Sequence, residues 1–159
     1  MKLMMRICGL PLLAIFLCAG IAAPTMAQTK PAAPKVRSEL IVSTDWLARN
    51  LSNKKVFVLH VTRDQKAFEA GHIPGALNRP FGENLGSDGR FKSAAVLRAE
   101  FDALLAGRDP ATVVHHCGSG VSAVPNVMAM ELAGFAPVAL YAGSWSEWCR
   151  DPTLPVEKG

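Results

Sequence analysis

Two rhythms of apolar and polar positions share this chain. Lys55 to Val61, KVFVLHV, is a continuous apolar run rich in β-branched residues, which predicts a strand covered on both faces. By contrast, Ser93 opens a stretch in which Val96, Leu97, Phe101, Leu104 and Leu105 recur at helical spacing before Gly107, which predicts a capped amphipathic helix. The remaining elements fit between these. Ser43 to Leu51 reads as a short first helix, with Ser43 or Thr44 as cap, Asp45 in the first turn and Trp46, Leu47 and Leu51 as its apolar stripe. Asp64 to Ala70 is a helix closed by Gly71, His72 to Ala76 a tight turn set by Pro74 and Gly75, and Ala76 to Asn78 a short strand.

The Gly- and Asp-rich segment from Phe81 to Arg90 reads as an exposed loop with a turn at Ser87-Asp88-Gly89. Ala111 to His115 is the next strand, Ser122 to Ala133 a helix stopped by Gly134, and Pro137 to Tyr141 the last strand. Pro125 falls in the first turn of its helix, where a missing N–H costs nothing. Strands and helices alternate, and each crossover is long enough to hold a helix. That order predicts one open, mostly parallel α/β sheet, and in such sheets ligands sit beyond the carboxyl ends of the strands.

Ahead of this domain the pattern changes. Lys2 and Arg6 precede an apolar run from Ile7 to Ala23, broken by Gly9 and Pro11, and the segment ends in Pro24-Thr25-Met26-Ala27. A basic start, an apolar centre and small residues at the close predict a secretory signal over residues 1–27, and with it an exported, periplasmic protein without stable membrane association after cleavage. Residues 28–38, QTKPAAPKVRS, carry no periodicity and read as a disordered linker before a single domain over 39–159.

Cleavage would alter the charge as well. Of 17 basic residues, Lys2 and Arg6 leave, so 15 face 13 acidic ones, and no basic run with interleaved aromatics remains to bind nucleic acid. Cys8 and Cys18 leave too, and Cys117 and Cys149 stay.

The chemistry concentrates at His115 to Ser122, HHCGSGVS, where a strand gives way to a helix. Gly118, Ser119, Gly120, Val121 and Ser122 form a loop whose N–H groups can converge on the Cys117 sulfur, with the positive end of the next helix behind them. Both effects favour a thiolate and an anion bonded to it, so Cys117 reads as a nucleophile rather than a small buried residue. A metal site is disfavoured, because strand alternation sends His115 and His116 to opposite faces and no CxxC or HxxxH partner is present. No cofactor is called for. Cysteine-dependent phosphatases resemble H-C-x5-R, and that count places Ala123 where the phosphate-clamping arginine would stand.

The loop Cys117-Gly118-Ser119-Gly120-Val121-Ser122-Ala123 closely resembles the active loop of 3-mercaptopyruvate and thiosulfate sulfurtransferases of the rhodanese family, with Ser122 where threonine is usual. Gly71-His72-Ile73-Pro74-Gly75-Ala76 and Gly143-Ser144-Trp145-Ser146-Glu147-Trp148 resemble that family's first and closing signatures, and Leu40 to Leu51 looks like its opening. The resemblance implies an α/β rhodanese-like domain, with a mostly parallel sheet of about five strands and helices on both faces. It also implies a Cys117 persulfide that carries a sulfane sulfur from a small donor to a thiol or cyanide acceptor.

Rhodaneses specialised for thiosulfate resemble C-R-K-G-V, whereas this loop has no cation, so Arg63, Arg79 and Arg90 are the candidates for holding a donor's carboxylate. Ser119 and Ser122 are candidates for hydrogen bonds to the donor. The chain departs from the family after its first strand, where His60 and Thr62 replace a usual Asp and Arg and Arg63 is displaced by one. With only one domain present, that departure suggests an alternative: a non-catalytic persulfide carrier or partner-binding module. His72 is expected to fix its turn by hydrogen bonding, and Trp145 and Trp148 to pack near the rim. Cys149 is open to a disulfide with Cys117 or to attack on the persulfide.

Overall fold

The structure, a computed structural model, describes residues 40–159. The expected signal (1–27) and linker (28–38) lie outside the described residues. Five strands, β1 (Ile41–Val42), β2 (Phe57–His60), β3 (Leu77–Asn78), β4 (Val113–His116) and β5 (Ala139–Tyr141), form one sheet in the order β1-β5-β4-β2-β3, and every pairing is parallel. Five helices connect or flank them: α1 (Thr44–Asn50), α2 (Gln65–Glu69), α3 (Ala94–Leu105), α4 (Val124–Leu132) and α5 (Ser144–Trp148).

The continuous apolar character of β2 and β4 follows from burial on both faces. Phe57, Leu59 and Val113 pack with Leu97, Phe101 and Leu105 of α3 and Ala129 and Met130 of α4. Val58 and Val114 face the other way, towards Leu47 of α1, Phe68 of α2 and Trp148 of α5. Period-two alternation thus divides one strand between two cores.

The caps hold as the sequence indicates. Ser43 accepts from the Trp46 N–H, Asp64 from Ala67 and Ser93 from Val96, and α3 ends with Ala106 and Gly107 in the left-handed region. Val96 is a correction: it lies one position off the Leu97-Phe101-Leu105 stripe and is exposed.

Three short elements escape the pattern. β1 is two residues at the sheet edge, and α5 is a single turn around the Trp145–Trp148 segment. The expected loop from 81 to 90 begins with a 3-10 turn, Phe81–Asn84, in which Asn84 is wholly buried. It continues as a Leu85–Phe91 antiparallel bridge with the expected turn at its tip. The carboxyl tail returns to the His72 turn, where His72 and Glu157 exchange backbone hydrogen bonds of 2.9 and 3.0 Å.

Strand order decides where a ligand can reach. From β2 the chain steps outward to β3 through α2 on one face, then jumps back across β2 to β4, whose exit into α4 lies on the other face. The loops after β2 and β4 therefore diverge and leave a crevice between them. His60 ends one strand and His116 the other, and Cys117 follows immediately.

Candidate active site

Cys117 is 1% exposed, and its backbone is fixed on both sides. Its N–H donates to the Ser144 hydroxyl (3.1 Å), and its carbonyl accepts from the Trp145 N–H (2.9 Å) and from His116 Nδ1 (3.3 Å). A carbonyl only accepts, so this bond assigns the His116 proton to Nδ1. The next carbonyl, of Gly118, accepts from the Ser146 N–H at 2.8 Å. The first turn of α5 therefore grips the start of the loop.

The loop then curls over the sulfur. The Gly120 N–H points at Cys117 Sγ from 3.0 Å. Gly120 has φ +87°, and a Cβ there would lie 2.5 Å from the Ala142 carbonyl oxygen, so glycine is required by both backbone angle and space. Among the described residues, no acceptor takes the N–H groups of Gly118, Ser119, Val121 or Ser122. One N–H aimed at a buried thiol, on a loop whose other N–H groups are uncommitted, suits an anion on that sulfur.

A cleft of about 210 Å³ lies beside this loop, lined among others by His60, Thr62, Arg63, Gly71, Ser122 and Trp145. Gly71 has a local reason here: a Cβ would lie 2.9 Å from the Trp145 ring, so the first and closing signatures meet edge to edge. Beneath them runs a column of rings. His72 stacks on Phe68 (3.7 Å), Phe68 meets His60 edge-on (5.7 Å), and His60 stacks on His116 (4.1 Å).

His60, His115 and His116 are held neutral. Burial, with His72 nearby, lowers His60 to about 4, and burial lowers His115 to about 3; burial and the adjacent His60 push His116 well below the ordinary range. His60 Nδ1, His115 Nδ1 and His116 Nε2 are buried without a partner. His115 turns from the cleft towards Met130 Sδ (3.2 Å), as strand alternation requires. No cluster of metal-ligating residues occurs among the described residues.

Of the three candidate arginines, the structure brings Arg63 to the cleft, with its side chain 83% exposed and only Asp64 beside it (3.3 Å). Arg79 is a correction: it is buried, bonded to Asn84 (2.9 Å) and Glu100 (2.7 Å), and lies over the Phe101 ring, away from the cleft lining. Arg90 also lies off the lining, on the exposed bridge, with its backbone tied to Gly86 and Asp88. Ser122 lines the cleft, and Ser119 is exposed on the loop.

Cys117 and Cys149 are both free, the latter exposed at the end of α5. His72 fixes its turn as expected, donating from Nδ1 to the Phe68 carbonyl at 3.0 Å. Sequence reasoning missed Ser144, whose φ of +55° is unusual for a side-chain-bearing residue and has no local sequence signal. It also missed the His60–His116 stack, which only the strand register reveals.

The rhodanese-like domain profile matches residues 43–151, and that span holds the loop, the cleft and the grip of α5. The chain belongs to the rhodanese family. Over 90 residues it is 56% identical to the "Probable 3-mercaptopyruvate sulfurtransferase" of Pseudomonas aeruginosa, covering 57% of this chain and 32% of that one. It is 34% identical to the 3-mercaptopyruvate sulfurtransferase of Escherichia coli K12, covering 77% of this chain and 44% of that protein. It is 39% identical to the sulfur carrier protein TtuD of Thermus thermophilus, covering 58% and 33%. The chain thus spans a third to under half the length of these rhodanese relatives. Wild-type EanB shares the fold, with a TM-score of 0.65 at 24% identity over 77% of this chain and 32% of that structure.

Proposed function

We propose that this rhodanese domain is a sulfurtransferase that moves a sulfane sulfur from a small donor to a thiol or cyanide through a persulfide on Cys117. The observation that carries the reading is the buried Cys117 sulfur facing the Gly120 N–H at 3.0 Å within a loop of open donors at the sheet's crevice. In the first half-reaction the Cys117 thiolate attacks the donor's outer sulfur. A sulfur–sulfur bond forms, and the bond to the rest of the donor breaks with its electron pair leaving on the donor. In the second half-reaction an acceptor attacks the outer sulfur and Cys117 departs as thiolate, so no external oxidant or reductant is needed.

The neutral loop and Arg63, the one cation among the described residues that line the cleft, favour 3-mercaptopyruvate over the thiosulfate dianion: its carboxylate needs one positive partner, and its ketone can face the neutral His60 end of the cleft. The two sulfurtransferase relatives support that choice. The signal reading of residues 1–27 supports an exported location.

Incubation with each donor, followed by mass analysis, tests the reading. A one-sulfur adduct on Cys117 is expected, larger with 3-mercaptopyruvate, absent in Cys117→Ser and retained in Cys149→Ser. No adduct from either donor overturns small-donor transfer and favours the carrier reading, which the likeness to a sulfur carrier protein also supports.

A further inference from the structure

We infer that Ser144 is a hydrogen-bond donor to the departing Cys117 sulfur, an assignment that rests on the sulfur-transfer reading above. Its hydroxyl is wholly buried and lies between three groups: it accepts from the Cys117 N–H (3.1 Å), donates to the Tyr141 carbonyl (3.0 Å) and stands 4.0 Å from Cys117 Sγ. One hydroxyl has one proton, so it cannot serve the carbonyl and the sulfur together. Which acceptor wins follows the charge on Sγ. As a persulfide, Cys117 carries its charge on the outer sulfur, Sγ is a weak acceptor, and the proton stays on the Tyr141 carbonyl. When an acceptor thiolate attacks the outer sulfur, the S–S bond breaks, the electron pair returns to Sγ, and the hydroxyl turns to meet it beside the Gly120 N–H.

The backbone supports this role. Ser144 holds φ +55°, where a side chain carries a conformational cost and glycine carries none. A residue needed only to turn the chain from β5 into α5 would be better served by glycine. The residue present instead supplies a hydroxyl, and it stands where the strained backbone aims that hydroxyl at the nucleophile's N–H and sulfur.

The experiment separates the two half-reactions. Cys117 is loaded with sulfur from 3-mercaptopyruvate or thiosulfate, excess dithiothreitol is added, and persulfide decay is followed by mass analysis in the parent, Ser144→Gly and Ser144→Ala. Ser144→Gly relieves the backbone but leaves the buried Cys117 N–H without its acceptor, so the two effects oppose each other and it is expected to melt close to the parent temperature and above Ser144→Ala. Both variants should release sulfur about tenfold more slowly, the scale of one hydrogen bond to a charged group, with the rate of loading by the donor unchanged and the donor's apparent KM lowered accordingly. The loaded fraction at steady state should therefore rise. A merely structural role would instead lower loading and release together and raise KM. Release at the parent rate from loaded variants overturns the Ser144 assignment alone. A parent chain that takes up no sulfur from either donor overturns the sulfur-transfer reading and this assignment with it.

Discussion

Two polar regions lie at the carboxyl ends of the strands, and they are built in opposite ways. After β3, the guanidinium of Arg79 meets Asn84 and Glu100, Asn84 bonds Asn126, Asn126 returns to the Arg79 carbonyl, and Lys92 completes Glu100 at 2.7 Å. Every group in this network has a partner. After β4, the Cys117 loop has one N–H on the sulfur and several with no protein acceptor, above His60 and His116, each of which keeps one buried nitrogen unpaired. Buried polar groups without partners are costly, so a fold keeps them where a reagent will complete them. The closed network ties α3, α4 and the Phe81–Asn84 turn together. The open one waits for a ligand.

Gly120→Ala is the sharpest way to break the open region. The added Cβ meets the Ala142 carbonyl at 2.5 Å in a backbone conformation that alanine resists, so the loop must move off the sulfur. Loss of the aimed donor is expected to slow sulfur loading of Cys117 by about 100-fold or more. Because the loop is a surface turn, the stability loss should stay near ~2 kcal/mol. Loading measured per folded molecule, beside a urea melt, checks both figures. Loading within about threefold of the parent would mean that the Gly120 donor does not contribute to the chemistry.

Arg79→Met asks the complementary question of the closed region. It leaves Asn84 Oδ1 without its donor and removes the buried guanidinium from Glu100, which keeps Lys92. A stability loss of about 3 kcal/mol is expected, with sulfur loading per folded molecule close to the parent value. A selective loss of loading without a drop in melting temperature would return Arg79 to the donor site and dissolve the distinction between the two regions.

That distinction was only half legible in the sequence. The apolar runs of β2 and β4, the Ser93 cap and the Gly-flanked Cys117 are local signals, and local signals carried the fold class and drew attention to the Cys117 loop. The three arginines looked alike because each follows a strand or lies in the long loop. Only three-dimensional contact separates Arg79, with Glu100 twenty-one residues away, from Arg63 at the cleft. Ser144 was illegible for the same reason: its partners, Cys117 just after β4 and Tyr141 at the end of β5, are brought together only by the sheet, and nothing in GSW announces a positive φ. The edge strand β1 escaped because two residues cannot show a period.

Acid should separate the two regions by a smaller margin. His60, His115 and His116 resist protonation in the folded state but titrate near 6.5 when unfolded, so the unfolded chain binds more protons below that pH. Stability they contribute is complete above about pH 6.5, falls as pH drops, and levels off near the folded values of about 4 for His60 and about 3 for His115. Glu100 behaves differently: burial alone would raise it, but hydrogen bonds from Lys92 and Arg79 hold it below the ordinary carboxylate range. Its contribution is therefore lost only below the unfolded value near 4.5. Between pH 6.5 and 5 the loss belongs to the histidines, at most about 1.4 kcal/mol per pH unit for each. Urea midpoints across that window should fall less steeply in His60→Gln, by up to that amount, and should keep the parent slope in Arg79→Met. An unchanged slope in His60→Gln would mean that His60 takes up its proton in the folded state, and the neutral floor of the cleft would have to be abandoned.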